Sequence, residues 1–309
     1  MIEFYPVEII VDKGPAVTGT NGPALTGWCT KEGHASVLFF THGNGFSSRT
    51  YQPMLELLAQ KYDLLMLDIP GHGRSPNYEF VGWNQTAEFL HQGIISSDSF
   101  VAGRDLHAVA HSLGGMLSML AQSRHPGLFK SMVLLDPIMF PPVLLTTMKV
   151  IDKFGLTSVF HPFVKPTLRR RNFWQDRQQA FEYFHKRKIF EDWTDESLES
   201  YVQYALKEDG AGVRLCCAPE LEAKWFGTLP EKMWPAVKKL QGQVSIFMGQ
   251  DTYPFSLRAG RHATKLNESI DLSVVTGGHC FMQENPQDAA GYVFAAVDRC
   301  KGSICSNAG

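Results

Sequence analysis

Short apolar runs closed by glycine, proline or polar residues recur along the chain: Val37 to Phe40, Leu64 to Leu67, Val109 with Ala110, Met132 to Leu135, Val244 to Met248 and Ile270 to Val275. Segments long enough to form crossover helices separate most of them. Continuous apolar strands alternating with helices predict a mostly parallel sheet covered on both faces. Two earlier runs, Val7 to Val11 and Leu25 to Cys29, have no helix between them and predict an antiparallel hairpin at one edge.

The alternation stops after Asp136. Roughly the next hundred residues carry helical patterns and no convincing buried strand. Thr194 is a candidate N-cap for a helix whose first turn holds Asp195 and Glu196, and whose inner face carries Leu198, Tyr201, Val202 and Ala205. Ala180, Phe181 and Phe184 mark a second amphipathic stretch. The Pro141-Pro142 pair and Pro235 bracket this region. It predicts an insertion over residues 137–240, dividing a core made of residues 1–136 and 241–309. There is no internal repeat or low-complexity tract.

Composition narrows the class. The 309 residues are 44% apolar and 19% charged, enough for one large core with an insertion. A formal net charge of -2, without a basic block, argues against a nucleic-acid partner. Cysteines 29, 216, 217, 280, 300 and 305 form no CxxC pair and read as reduced thiols. No basic leader precedes a long apolar stretch. The expectation is a soluble, cytoplasmic protein that binds no membrane; oligomeric state is open.

The sharpest local signal is Ala110-His111-Ser112-Leu113-Gly114-Gly115, set between an apolar strand and the apolar helix that begins at Met116. A serine in such a turn projects its hydroxyl from the sheet's carboxyl edge, beside a helix N-terminus that favours developing negative charge. Ala110 and Gly114 supply the small flanking residues the turn requires. An unassisted serine hydroxyl is a poor nucleophile at neutral pH, so a base must take its proton.

The AHSLGG segment resembles the nucleophile elbow of α/β-hydrolases, with alanine where the commoner form has its first glycine. Thr41-His42-Gly43-Asn44-Gly45-Phe46 resembles the family's oxyanion loop. Asp68-Ile69-Pro70-Gly71-His72-Gly73-Arg74-Ser75 is similar to its D-x-x-G-x-G-x-S loop, and Gly277-Gly278-His279 to the turn bearing its histidine. The resemblance implies a mostly parallel eight-stranded α/β-hydrolase sheet, helices on both faces, and a helical cap inserted after the sixth strand. It also implies a cofactor-free, metal-free serine hydrolase with Ser112 as nucleophile and His279 as base.

For the acid that orients the base, Asp251 is preferred. It follows the strand Val244 to Met248 and gives the chain order Ser, Asp, His. Asp136, at the end of the preceding strand, is the alternative. The oxyanion donors implied by the resemblance are the backbone N–H groups of Leu113 and Asn44, with Gly45 as a substitute for the second. His111 reads as a shaping residue, His42 and His72 as loop-holding residues, and Cys280 as a packed hydrophobe. Arg169-Arg170-Arg171 reads as a solvated helix face, with contact to a substrate carboxylate or anionic surface as the alternative.

Within the insertion, Phe140, Phe154, Phe160, Phe163, Phe173, Trp174, Phe181, Tyr183, Phe184, Trp193, Trp225 and Phe226 supply an aromatic stock. Part of it packs the insertion; the remainder predicts an apolar pocket for a small, hydrophobic substrate. The expected activity is hydrolysis of an ester or related acyl compound through a Ser112 acyl-enzyme. Carbon–carbon bond hydrolysis, thioester hydrolysis, acyl transfer and non-catalytic ligand binding are the alternatives.

Overall fold

A computed structural model describes residues 2–11, 24–30, 33–154 and 162–306. In chain order its strands are β1 (Tyr5–Ile10), β2 (Ala24–Cys29), β3 (Ser36–Thr41), β4 (Asp63–Leu67), β5 (Asp105–His111), β6 (Ser131–Leu135), β7 (Phe173–Trp174), β8 (Leu206–Asp209), β9 (Gly212–Leu215), β10 (Gln243–Gly249) and β11 (Ile270–Val275). Eight of them form one sheet in the order β1-β2-β4-β3-β5-β6-β10-β11. The hairpin edge is present: β1 pairs antiparallel with β2, and β2 with β4. Every other pairing in this sheet is parallel.

Alternation along each central strand divides the core between the two faces. In β3, Val37 and Phe39 join Leu65, Ala108, Leu134 and Ile246 under the helices Gly82–Ser96 and Ser112–Arg124. Leu38 and Phe40 turn the other way, joining Met66, Val109, Val133 and Phe247 under the helix Gln52–Leu58 and the long C-terminal helix Pro286–Ser306. Both faces are dry, so a strand such as SVLFFT is buried at every position and lacks the polar alternation of a half-exposed strand. Each fully buried leucine or phenylalanine contributes about 1.5–3 kcal/mol.

Between β6 and β10 lie the helices Pro142–Lys153, Val164–Leu168, Arg177–His185, Asp195–Tyr204, Pro219–Phe226 and Met233–Lys239. Thr194 caps its helix by accepting from the Ser197 N–H at 3.2 Å, and Leu198, Tyr201, Val202 and Ala205 are buried. This region also holds a three-stranded antiparallel sheet, β7-β9-β8, which the apolar pattern did not predict. Its strands are two to four residues long and expose Lys207, Glu208 and Arg214. Such strands leave no apolar run to read. The local clue was Asp209-Gly210, with Gly210 at φ 60° in the hairpin turn. Among the described residues, no helix is long and apolar enough to cross a membrane.

Candidate active site

The turn from β5 into the helix Ser112–Arg124 holds Ser112 at φ 49°. A non-glycine residue in the left-handed region costs on the order of 1–3 kcal/mol and persists only where its surroundings enforce it. The enforcement comes from close packing against the end of β3. The Gly114 N–H donates to the His42 carbonyl at 3.1 Å, and a Cβ on Gly114 would lie 2.4 Å from the Thr41 carbonyl oxygen. Glycine is therefore required because the helix is pressed against the neighbouring strand's exit.

His279 follows β11 in a turn where Gly277 adopts φ 108° and the Gly278 N–H donates to the Glu284 carboxylate at 3.0 Å. Its Nε2 lies 3.0 Å from Ser112 Oγ. On the far side of the ring, Nδ1 lies 2.9 Å from Asp136 Oδ1. A carboxylate only accepts, so Nδ1 carries the hydrogen and Nε2 is left to accept from the serine hydroxyl. Residues far apart in sequence thus form one hydrogen-bonded relay at the carboxyl edge of the parallel strands.

The acid in that relay is Asp136, and the preference for Asp251 is corrected. Asp136 leaves β6 at φ 45°, which turns its fully buried carboxylate toward β10 and β11. There it accepts from the Gly249 N–H at 2.8 Å, the Thr252 hydroxyl at 2.6 Å and the His279 ring. Asp251 is exposed, and its carboxylate accepts from the Gln250 side chain at 3.2 Å. The loop after β10 presents Thr252 inward, and Thr252 braces the carboxylate that β6 delivers. The place of Asp136 at the end of an apolar strand makes it the alternative in the sequence; Thr252 carries no local signal.

His111 supports His279 from behind. Its Nε2 lies 3.0 Å from the His279 carbonyl oxygen and its Nδ1 2.7 Å from the Tyr51 hydroxyl, which in turn accepts from the Gly43 N–H at 3.1 Å. Nε2 must then be the donor and Nδ1 the acceptor. Burial, reinforced by the charge His279 can carry, lowers the His111 pKa well below its ordinary value, so this ring is neutral. The sequence marks His111 as a shaping residue but carries no sign of its tie to Tyr51.

In the oxyanion-type loop, no main-chain acceptor in the described turns takes the N–H of Asn44 or Leu113, and both residues line the same cavity as Ser112. The Asn44 side chain donates to the Glu222 carbonyl at 3.1 Å, and its Oδ1 lies 3.3 Å from His72 Nε2. Gly45 lines the same cavity, and the Cys217 thiol donates to the Ala218 carbonyl at 3.7 Å. His42 accepts from the Ile69 N–H at 2.9 Å and donates to the Gly43 carbonyl at 2.7 Å. Burial pushes the His42 pKa down to about 4 and that of His72 to about 3.

The site opens into a cavity of about 550 Å³, within the size range of small-molecule pockets. Phe140, Phe163, Tyr183, Phe184, Trp193, Trp225 and Phe226 from the expected aromatic stock line it. Trp174 is buried in packing, Phe154 is exposed, and Phe160 lies outside the described residues. The arginine triplet differs from the expected solvated face, because Arg169, Arg170 and Arg171 all line the cavity. Arg170 donates to both carboxylate oxygens of Glu222 at 2.8 and 2.6 Å and to the Tyr201 hydroxyl at 3.3 Å. Burial opposes its charge, but Tyr201 and Glu222 together raise the Arg170 pKa above its ordinary value.

Cys29, Cys216, Cys217, Cys280 and Cys300 are free thiols; residue 305 has no described side chain. Burial raises the Cys280 pKa, in keeping with a packed thiol. Among the described residues, one group has metal-ligand composition: Glu88, His91 and His125 place ligand atoms within 4.8 Å of one another. The two imidazoles stack at 3.5 Å and 3°, so their nitrogen lone pairs run side by side instead of converging, and Arg124 shares Glu88 at 3.4 Å.

Comparison with known proteins agrees with this architecture. The model of the alpha/beta hydrolase family matches residues 38–291, and the chain belongs to that family. A probable lysophospholipase of Arabidopsis thaliana, BODYGUARD 2, is 31% identical over 113 residues, covering 35% of this chain and 23% of that protein. Human monoglyceride lipase is 30% identical over 121 residues, 38% of this chain and 40% of the lipase. The aligned region thus spans well under half of these relatives' own length. Among solved structures, the peroxisomal α/β-hydrolase Lpx1 of Saccharomyces cerevisiae superposes with a TM-score of 0.74 at 14% identity, over 99% of this chain and 90% of that one. At that identity the likeness concerns the fold.

Proposed function

We propose that the chain is a serine hydrolase that cleaves an ester or related acyl compound bearing an apolar group. The observation that carries this reading is the unbroken relay from Ser112 Oγ through His279 to Asp136, at 3.0 and 2.9 Å. Ser112 attacks the substrate carbonyl as His279 Nε2 takes its proton, and Asp136 stabilises the imidazolium through Nδ1–H. The N–H groups of Leu113 and Asn44 receive the oxyanion. Collapse of the tetrahedral intermediate passes the proton from His279 to the departing alcohol and leaves an acyl-Ser112. Water, deprotonated by His279, then releases the acid and restores the serine.

An aromatic cavity joined to this relay supports an apolar acyl or alcohol group. Similarity to a monoglyceride lipase and a probable lysophospholipase supports the ester bond. An organophosphonate probe should label Ser112 in the wild-type chain, and Ser112→Ala should be unlabelled and inactive on acyl esters of graded chain length. Equal labelling of both proteins would remove Ser112 from the mechanism.

A further inference from the structure

Among the described residues, the largely aromatic cavity wall carries an unbalanced charge. Four arginines line it, Arg169, Arg170, Arg171 and Arg187, against one carboxylate, Glu222. Glu222 is occupied by Arg170 in a bidentate pair. None of the other three guanidinium groups pairs with a carboxylate among the described residues, and all three residues are exposed at the rim. The excess is regional: residues 163–190 hold eight Lys and Arg against two Asp and Glu, in a chain of net charge -2.

Two of these guanidinium groups are held in place by neutral partners. Arg171 donates to the Phe173 carbonyl at 2.8 Å and the Gln179 amide oxygen at 2.6 Å, and lies 5.5 Å from the ring centres of Trp174 and Tyr183. Arg187 stacks over Tyr183 at 4.3 Å and donates to its hydroxyl. Tyr183 therefore sits between two cations while its ring lines the cavity. Each guanidinium has five N–H donors, so most remain uncommitted. Their orientation is fixed in advance, and their charge is not neutralised.

We propose that Arg169, Arg171 and Arg187 form an anion subsite at the cavity rim, binding the carboxylate or phosphate of an amphipathic substrate whose apolar part lies along the aromatic wall toward Ser112. The proposal rests on the serine-hydrolase reading for the identity of the reaction. It does not rest on that reading for binding. Fixed arginine forks favour planar or tetrahedral oxyanions over a neutral hydroxyl, through charge-assisted hydrogen bonds roughly twice as strong as neutral ones.

The test compares decyl phosphate, decanoate and decanol by titration calorimetry on the full chain. At least one of the two anions should bind about tenfold or more tightly than decanol, and the tighter anion identifies the headgroup. Raising salt from about 0.05 to 0.5 M should shrink that ratio. Arg171→Gln/Arg187→Gln should bring it to about one, whereas Arg171→Lys/Arg187→Lys should retain part of it. Equal binding of all three amphiphiles by the wild-type chain would overturn the subsite. So would a ratio of one accompanied by arginine-dependent binding to phosphatidylglycerol vesicles, which would make the rim a membrane-docking surface. Phosphonate labelling on the same samples separates the two readings: labelled Ser112 without anion preference defeats the subsite alone, and anion preference without labelling defeats the hydrolase.

Discussion

The imidazole of His111 donates to the main-chain carbonyl of His279 at 3.0 Å, so the candidate base is held through its backbone as well as through its ring. The same imidazole accepts from Tyr51, whose hydroxyl takes the Gly43 N–H. One neutral ring therefore ties the histidine turn to the oxyanion-type loop. His111→Phe should preserve the ring's packing against Phe46 and Tyr51 while removing both hydrogen bonds. The expected result is a loss of about 10- to 100-fold in kcat, with KM changed by less than about threefold, because a base displaced by a fraction of an ångström still permits binding. Unsatisfied buried partners should also cost about 1–3 kcal/mol of stability. Steady-state kinetics and thermal unfolding on one preparation check both.

Asp136 and Asp251 give opposite expectations. Asp136→Asn keeps the shape but offers the His279 Nδ1 either an amide or a reversed tautomer, and should lower kcat by about 10⁴. Asp251→Asn, on an exposed side chain, should stay within about twofold. A large loss in the second and a small one in the first would return the acid to the loop after β10.

The sequence displayed the central sheet because its strands are buried on both faces and so appear as unbroken apolar runs. Ser112 and His279 were legible because a tight turn demands small neighbours that leave a visible pattern. Asp136 ranks second from the sequence alone, because chain order is shared by both aspartates and only backbone direction separates them. That direction depends on a φ of 45° just beyond β6. The Arg170–Glu222 pair and the Tyr51–His111 tie join residues 52 and 60 positions apart. Such contacts are created by the arrangement of elements and have no local periodicity.

Acid should destabilise the fold through buried neutral histidines. Burial lowers the pKa of His42 to about 4, of His72 to about 3, and of His111 well below 6.5. Between 6.5 and those values the unfolded chain binds protons that the folded chain refuses. Their contribution is therefore complete above about pH 6.5 and shrinks as pH falls, by about 1.4 kcal/mol per pH unit for each histidine. Asp68, raised by its own burial, opposes this at lower pH. Denaturant unfolding at pH 7, 6 and 5 should show falling stability, and His72→Asn should flatten the slope. An unchanged slope in that variant would mean that His72 is protonated in the fold.

Glu222 joins the insertion to the loop that offers the Asn44 N–H. Its carboxylate holds Arg170, its carbonyl accepts from the Asn44 side chain, and a Cβ on Gly45 would lie 2.9 Å from its Oε1. Glu222→Ala leaves the Arg170 guanidinium unpaired in a largely desolvated site, and should cost about 3 kcal/mol. Arg170→Met/Glu222→Leu replaces the pair by apolar groups of similar size and should recover most of that stability. The two variants then separate charge from position. If Glu222 serves only to neutralise Arg170, the double variant should regain activity along with stability. The Asn44 bond to the main-chain carbonyl of residue 222 survives both substitutions, so if packing of the carboxylate against Gly45 also braces this loop, the double variant should fold normally yet keep a kcat about tenfold low, because the Asn44 N–H is less well placed. Unfolding midpoints and kcat for wild type and both variants decide between these outcomes.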